Sequence, residues 1–143
     1  MIKNFGKKLK KKTRVLCVSI FILYVYTNYC NFILYYREYV YVSQDPKDQL
    51  LLGPAYATPK VLDMAGLKLS DISVFEYHEA FAGQLLANMK ALESDYFCTE
   101  FMGRSSGKVG SIPVEKLNNW GGSLSIGHPF GATGVRLAMH TGM

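Results

Sequence analysis

The sequence predicts an α/β fold, a mixed sheet packed with helices and preceded by a basic, apolar N-terminal segment. Three observations carry that prediction. From residue 59 onward, helix-like and strand-like apolar spacing alternate along the chain. The run Ile72 to Tyr77 is β-branched and aromatic with no Gly or Pro, and a glycine-rich loop over 127–134 opens into a final helix. At 143 residues and 49% hydrophobic content, the chain lies in the size range of one folded unit with its own core.

The first element stands apart in charge. Residues 1–41 hold eight Lys or Arg against one Glu, a net +7, while residues 42–143 carry −2. Basic character confined to a tail beside an apolar run points to a membrane surface rather than to nucleic acid. The uncharged stretch Val15 to Tyr36 is 22 residues long. As a helix it would reach ~33 Å, enough for a hydrocarbon core of ~30 Å, and the lysines before it would stay on the inner side. Residues 15–36 are therefore a candidate membrane contact. The alternatives are an extension foreign to the functional chain, a buried strand pair, or a weakly inserted interfacial segment. The apolar run is too long for a cleaved secretory signal, and it is Lys-rich and continuous where a transit peptide is Arg-rich and amphipathic.

At Val42 the composition changes, and Ser43-Gln44-Asp45-Pro46-Lys47-Asp48 marks a boundary, giving segments 1–41 and 42–143. Thr58 and Pro59 suit an N-cap and first helical residue, and Gly66 suits the position past the end, so a short helix is expected over 59–65. A strand follows over 72–77. Phe81, Leu85, Met89 and Leu92 then recur at helical spacing. Residues 94–117 read as irregular connection, and 118–126 as a strand weakened by Gly121 and Gly122. The last helix is expected to show Val135, Ala138 and Met139.

Ligands in open α/β sheets gather beyond the carboxyl ends of strands, where His78 and His128 both fall. Two imidazoles on converging loops suit acid–base work near neutrality, and Gly127 and Gly131 leave room for a substrate. The alternative is that each histidine is a hydrogen-bonded structural residue. His78, Glu79 and His128 lack the i, i+4 spacing of a helical metal site, and no Gly-Lys-Ser/Thr follows the loop as in a Walker phosphate cradle. No metal is therefore expected. His140, near the chain end, is expected to be inert. Cys17, Cys30 and Cys98 form neither CxxC pairs nor a metal-ligand spacing, which favours a reducing compartment.

The segments Tyr77-His78-Glu79-Ala80-Phe81-Ala82-Gly83-Gln84 and Asn119-Trp120-Gly121-Gly122-Ser123-Leu124-Ser125-Ile126-Gly127-His128-Pro129-Phe130-Gly131-Ala132-Thr133-Gly134 resemble two signatures of the thiolase family. With Gln44-Asp45-Pro46-Lys47-Asp48-Gln49-Leu50-Leu51-Leu52-Gly53-Pro54, they are most similar to the branch formed by β subunits of mitochondrial trifunctional proteins. The resemblance runs from about Val42 to Gly142. Many thiolases carry Asn where His78 stands, and the trifunctional branch carries His.

The resemblance implies a layered thiolase-like domain, here incomplete, and an acyl transfer in fatty-acid β-oxidation. A cysteine thiolate attacks a 3-ketoacyl-CoA, acetyl-CoA leaves, and CoA as co-substrate takes the acyl group. No permanently bound cofactor is implied. His128 would accept the nucleophile's proton and, with His78, complete an oxyanion site. Ala80 and Phe81 would line the acyl and pantetheine pocket, and Gly127 and Gly131 would shape the loop. The implied location is mitochondrial, with a trifunctional-type α subunit or a second thiolase chain as partner and no nucleic acid. The family's two catalytic cysteines belong to segments outside this match. Cys98, in a connecting segment without a helix N-terminus to lower its pKa, is a poor substitute. The chain alone is thus expected to be inactive, whether as part of an enzyme or, alternatively, as a membrane-tethered, non-catalytic thiolase remnant bound to a trifunctional-type partner.

Overall fold

A computed structural model describes residues 12–18, 21–28 and 31–141, with side chains from 37 to 141. Three strands, β1 (Lys12–Val18), β2 (Phe21–Asn28) and β3 (Asn31–Tyr39), occupy the segment for which a helix was one expectation. Val, Ile, Tyr, Phe and Thr dominate β2, a composition that favours a pleated surface, and Asn28 and Asn31 interrupt the apolar run a spanning helix needs. No helix among the described residues is long and apolar enough to cross a membrane.

The sheet has the order β3-β2-β1-β4, with β4 spanning Val74–Tyr77. β1 and β2 pair antiparallel, as do β2 and β3, whereas β1 and β4 run parallel in the register Val15↔Val74 to Val18↔Tyr77. On the outer edge of β4, Leu117 forms an isolated parallel bridge to Phe75.

Helix α1 (Gly53–Ala65) begins six residues before its expected start. Pro54 sits in its first turn, where a missing N–H costs nothing, and Pro59 lies inside the helix rather than at its head. Its start is held from another element. Asn88 of α2 (Ala82–Glu93) accepts from Ala55 N at 2.8 Å and donates to Leu51 O at 2.9 Å. Gly66 ends α1 with a left-handed φ of 64°, as its sequence position predicts. Arg37 of β3 donates to Ala65 O at 2.7 Å, tying that end to the sheet.

Phe81 precedes α2 instead of joining its buried face, and it is 64% exposed. Leu85 and Met89 are partly buried against the core, and Leu92 is fully buried. Residues 95–100 form a further helix, α3 (Asp95–Glu100), where irregular chain was expected. Ser94 caps it, its hydroxyl accepting from Phe97 N at 3.1 Å, and Asp95 favours its positive end. Cys98 is fully buried there, its thiol directed at Ala91 O and Leu92 O, so its setting differs from the expected loop.

The strand expected over 118–126 does not form. Asn118 takes φ 49° and Gly121 φ 90°, values that turn the chain, and α4 (Ser123–Ile126) follows as a single turn. In α5 (Thr133–His140), Thr133 and Leu137 are buried, while Val135 and Met139 of the expected apolar set are exposed. The core joins Ala55, Val61 and Leu62 of α1 to Phe75 and Tyr77 of β4 and Leu92 of α2. Within it Thr58 Oγ1 lies 2.7 Å from Pro54 O and 2.5 Å from the Tyr77 hydroxyl. Burial pushes the Tyr77 phenol well above its ordinary pKa. Truncating Leu92 to Ala is expected to cost about 2–5 kcal/mol, seen as a lowered urea midpoint at unchanged m-value.

Candidate active site

The site forms where β4 ends, and one side chain sets its frame. Asn118 continues the ladder along the free edge of β4 after Leu117. Its backbone N–H donates to Phe75 O at 2.8 Å, its Oδ1 accepts from Tyr77 N at 2.7 Å, and its Nδ2 donates to Tyr77 O at 3.0 Å. Nδ2 also reaches Glu79 Oε1 at 2.5 Å. Glu79 Oε2 accepts from Leu124 N at 3.1 Å at the start of α4. This carboxylate fills the place of a side chain at Gly122, where an added Cβ would lie 1.9 Å from Oε2. Gly122 is thus required by the approach of Glu79.

These contacts bring the glycine-rich loop against the end of β4. The ring centroids of His78 and His128 lie 4.2 Å apart, and Phe130 stands 4.8 Å beyond His128. The two imidazoles predicted to converge therefore lie side by side. Thr133 Oγ1 donates to Pro129 O at 3.1 Å and lies 2.7 Å from His128 Nδ1. A hydroxyl proton directed to that carbonyl leaves the oxygen to accept from Nδ1–H, the tautomer in which His128 Nε2 carries a free lone pair. His78 Nδ1 lies 2.9 Å from Ser123 Oγ, which also receives Arg136 Nη2 at 2.7 Å. Burial lowers the His78 pKa most, the neighbouring His128 and Arg136 lower it further, and Glu79 opposes them.

The remaining predicted residues surround this pair. Ala80 N donates to Gln84 Oε1 at 3.2 Å at the entry to α2, and Phe81 projects into solvent. Gly127 takes φ 94°, open to glycine alone at little cost, and neither Gly127 nor Gly131 has an atom within 4 Å of an added Cβ. Asn118, Ser123, Thr133 and Arg136 were not singled out by the sequence reading. The one available signal for Asn118 was its place beside a glycine pair in Asn118-Asn119-Trp120-Gly121-Gly122. A separate cavity of about 390 Å³, lined by Tyr56, Lys60, Asp63, Arg104 and Ser106 among others, shares no lining residue with the histidine cleft.

His140, near the chain end, turns inward from α5 toward Glu76 of β4. Its Nδ1 lies 3.6 Å from Glu76 Oε2, too far for a hydrogen bond, and both Glu76 oxygens are buried without a hydrogen-bond partner. Burial raises the Glu76 carboxyl to about 7 against an opposing pull from Arg136, with Glu79 adding to the rise. Burial and Arg136 both lower His140.

The sequence matches the family described as thiolase, C-terminal domain, over residues 30–142. A probable 3-ketoacyl-CoA thiolase of Caenorhabditis elegans is 71% identical over 107 residues, which is 75% of this chain and 24% of that protein. The mitochondrial trifunctional enzyme subunit beta of Bos taurus is 70% identical over 105 residues, covering 73% of this chain and 22% of that one. The solved acetyl-CoA acetyltransferase from Syntrophomonas wolfei superposes with a TM-score of 0.50 at 35% identity, over 64% of this chain and 20% of that chain. The chain thus spans about a quarter of the length of the curated relatives it matches. The match and the solved relative support an α/β, thiolase-like fold.

The buried carboxylate makes stability depend on pH. Glu76 is raised in the folded chain from 4.5 to about 7, so its stabilising contribution is complete below pH 4.5 and is lost as the pH rises through 7. The lowered histidines act in the opposite sense, losing stability as the pH falls through 6.5. The difference in unfolding free energy between the parent and Glu76→Gln isolates the carboxylate. It is expected to shift in favour of the variant from pH 4.5 to 7, with a slope approaching ~1.4 kcal/mol per pH unit. Urea titrations at a series of pH values measure it.

Proposed function

This chain belongs to the thiolase family, and we propose that its two-histidine cleft is the proton-transfer and oxyanion site of a 3-ketoacyl-CoA thiolase of fatty-acid β-oxidation. The observation that carries the reading is the 4.2 Å approach of His78 and His128, each held at Nδ1 by a hydroxyl so that the Nε2 atoms remain for substrate.

In the proposed reaction a cysteine thiolate adds to the C3 carbonyl of 3-ketoacyl-CoA. The C2–C3 bond breaks, acetyl-CoA leaves after its α-carbon is protonated, and the acyl group remains as a thioester on the cysteine. The thiol of a second CoA then attacks that thioester, releasing a shortened acyl-CoA and the enzyme thiol. His128 Nε2, unprotonated, receives the proton of the attacking thiol. His78 faces the oxygen on which negative charge develops, and a donor there is worth about 2.7–4 kcal/mol in the transition state. Its lowered pKa keeps it neutral at physiological pH. Ala80 and Phe81 border the acyl and pantetheine path, and the open space at Gly127 and Gly131 admits the thioester.

The nucleophilic thiol comes from outside the residues whose side chains are described. Among those, Cys98 is the single cysteine, and it has no solvent exposure. Residues 42–143 hold the proposed site, and β1 to β3 of segment 1–41 join β4 in one sheet. The relatives named as mitochondrial trifunctional subunits support a mitochondrial site of action with an α-subunit or thiolase partner.

Transplanting residues 42–143 into the corresponding part of the Caenorhabditis elegans relative tests the reading. The chimera is expected to cleave 3-ketoacyl-CoA while the 143-residue chain alone does not. Within the chimera, His128→Ala is expected to lower kcat roughly 10²–10³-fold. Turnover unchanged by that substitution would refute the assignment.

A further inference from the structure

The proton on His78 is not free to choose its nitrogen. Arg136 has only donors, and its Nη2 occupies one lone pair of Ser123 Oγ at 2.7 Å. Ser123 is itself buried, at 7% exposure, and its remaining contact is His78 Nδ1 at 2.9 Å. With the guanidinium on its oxygen, the hydroxyl satisfies its own proton by donating to Nδ1. The ring proton of His78 then sits on Nε2, facing the cleft. His128 is held in the opposite sense, since Thr133 takes its Nδ1–H. The same pair of ring positions thus presents one donor and one acceptor.

We propose that Ser123 and Arg136 are positioning residues that lock His78 in the Nε2–H tautomer and hold it neutral, so that it donates where His128 accepts. The proposal deepens the thiolase reading and rests on it for its functional meaning, while its physical content stands on the chain itself. To gain a second proton, His78 would have to donate from Nδ1 to Ser123. The hydroxyl would then turn its own proton away from every contact it makes, beside the Arg136 charge. The other charged or titratable groups facing His78 are His128 across the cleft and Glu79, whose carboxylate is turned to Asn118 and Leu124 N. Arg136 in turn faces Glu76 and His140 between β4 and α5.

The test is a long-range nitrogen–proton spectrum of the intact chain with 15N-labelled histidine, recorded through a pH titration. The parent is expected to show His78 as Nε2–H with a pKa below 6.5, and His128 as Nδ1–H. Ser123→Ala is expected to turn His78 into a tautomer mixture while His128 keeps its pattern, which doubles as a check that the cleft still folds. Ser123→Thr, which retains a hydroxyl, is expected to restore the parent pattern. Arg136→Gln is expected to raise the His78 pKa. A parent spectrum with His78 as Nδ1–H would overturn the proposal whether or not any variant folds. So would a His78 pattern indifferent to Ser123→Ala in a chain whose His128 signals are intact. Failure of thiolysis in the chimera would instead remove the functional reading and leave the tautomer result standing.

Discussion

Everything at the site depends on how the exposed edge of β4 is satisfied. A strand edge leaves N–H and C=O groups unpaired, and buried ones cost about 1–3 kcal/mol each when left so. Among the described residues no further strand pairs along that side of β4 beyond the bridge at Leu117. The side chain of Asn118 supplies the missing donor and acceptor to Tyr77 instead. Since Asn118 stands at a sharp turn with φ 49°, the same residue that closes the edge redirects the chain toward the cleft. Glu79 then ties the redirected segment to the residue after His78, through Asn118 and the start of α4.

Two histidines placed this close need a way to avoid sharing a charge. Both ring contacts use uncharged hydroxyls: a Ser123 proton on His78 Nδ1 opposes a second ring proton there, whereas the Thr133 oxygen beside His128 Nδ1 leaves that ring able to take one at Nε2. The positive charge of Arg136 is brought to Ser123 rather than to a carboxylate, and it discourages protonation of His78. Where β4 faces α5, the buried Glu76 has no hydrogen bond among the described residues, and burial raises its pKa. Among the described residues, Arg136 acts on both Glu76 and His78.

The sequence made the convergence of the two proposed site histidines easier to read than the architecture around them. His78 and His128 were legible because each ends or begins an element at a place where α/β folds collect ligands, and because their surrounding motifs are specific. β4 and the end of α1 at Gly66 were legible from local chemistry. The N-terminal strands were harder, since a 22-residue uncharged run fits a helix by length alone, and only β1 pairs with a strand outside the segment. Residues 118–126 carry apolar side chains suited to a strand, yet Asn118 and Gly121 take positive φ, a backbone property that composition only hints at. α3 was missed although Ser94 and Asp95 are ordinary start signals, because the glycines after it drew the whole stretch toward irregular chain. The hydroxyls of Ser123 and Thr133 and the guanidinium of Arg136 were out of reach, since each acts through a contact that exists only after folding.

Proximity of the two imidazoles is the claim on which the functional account stands, and nuclear Overhauser contacts between their ring protons in the labelled 143-residue chain measure it without reference to activity. At a centroid separation of 4.2 Å, strong cross-peaks between the His78 and His128 rings are expected, together with contacts from His128 to Phe130. A folded chain whose two rings show no cross-peak, with each instead in contact with different neighbours, would contradict it.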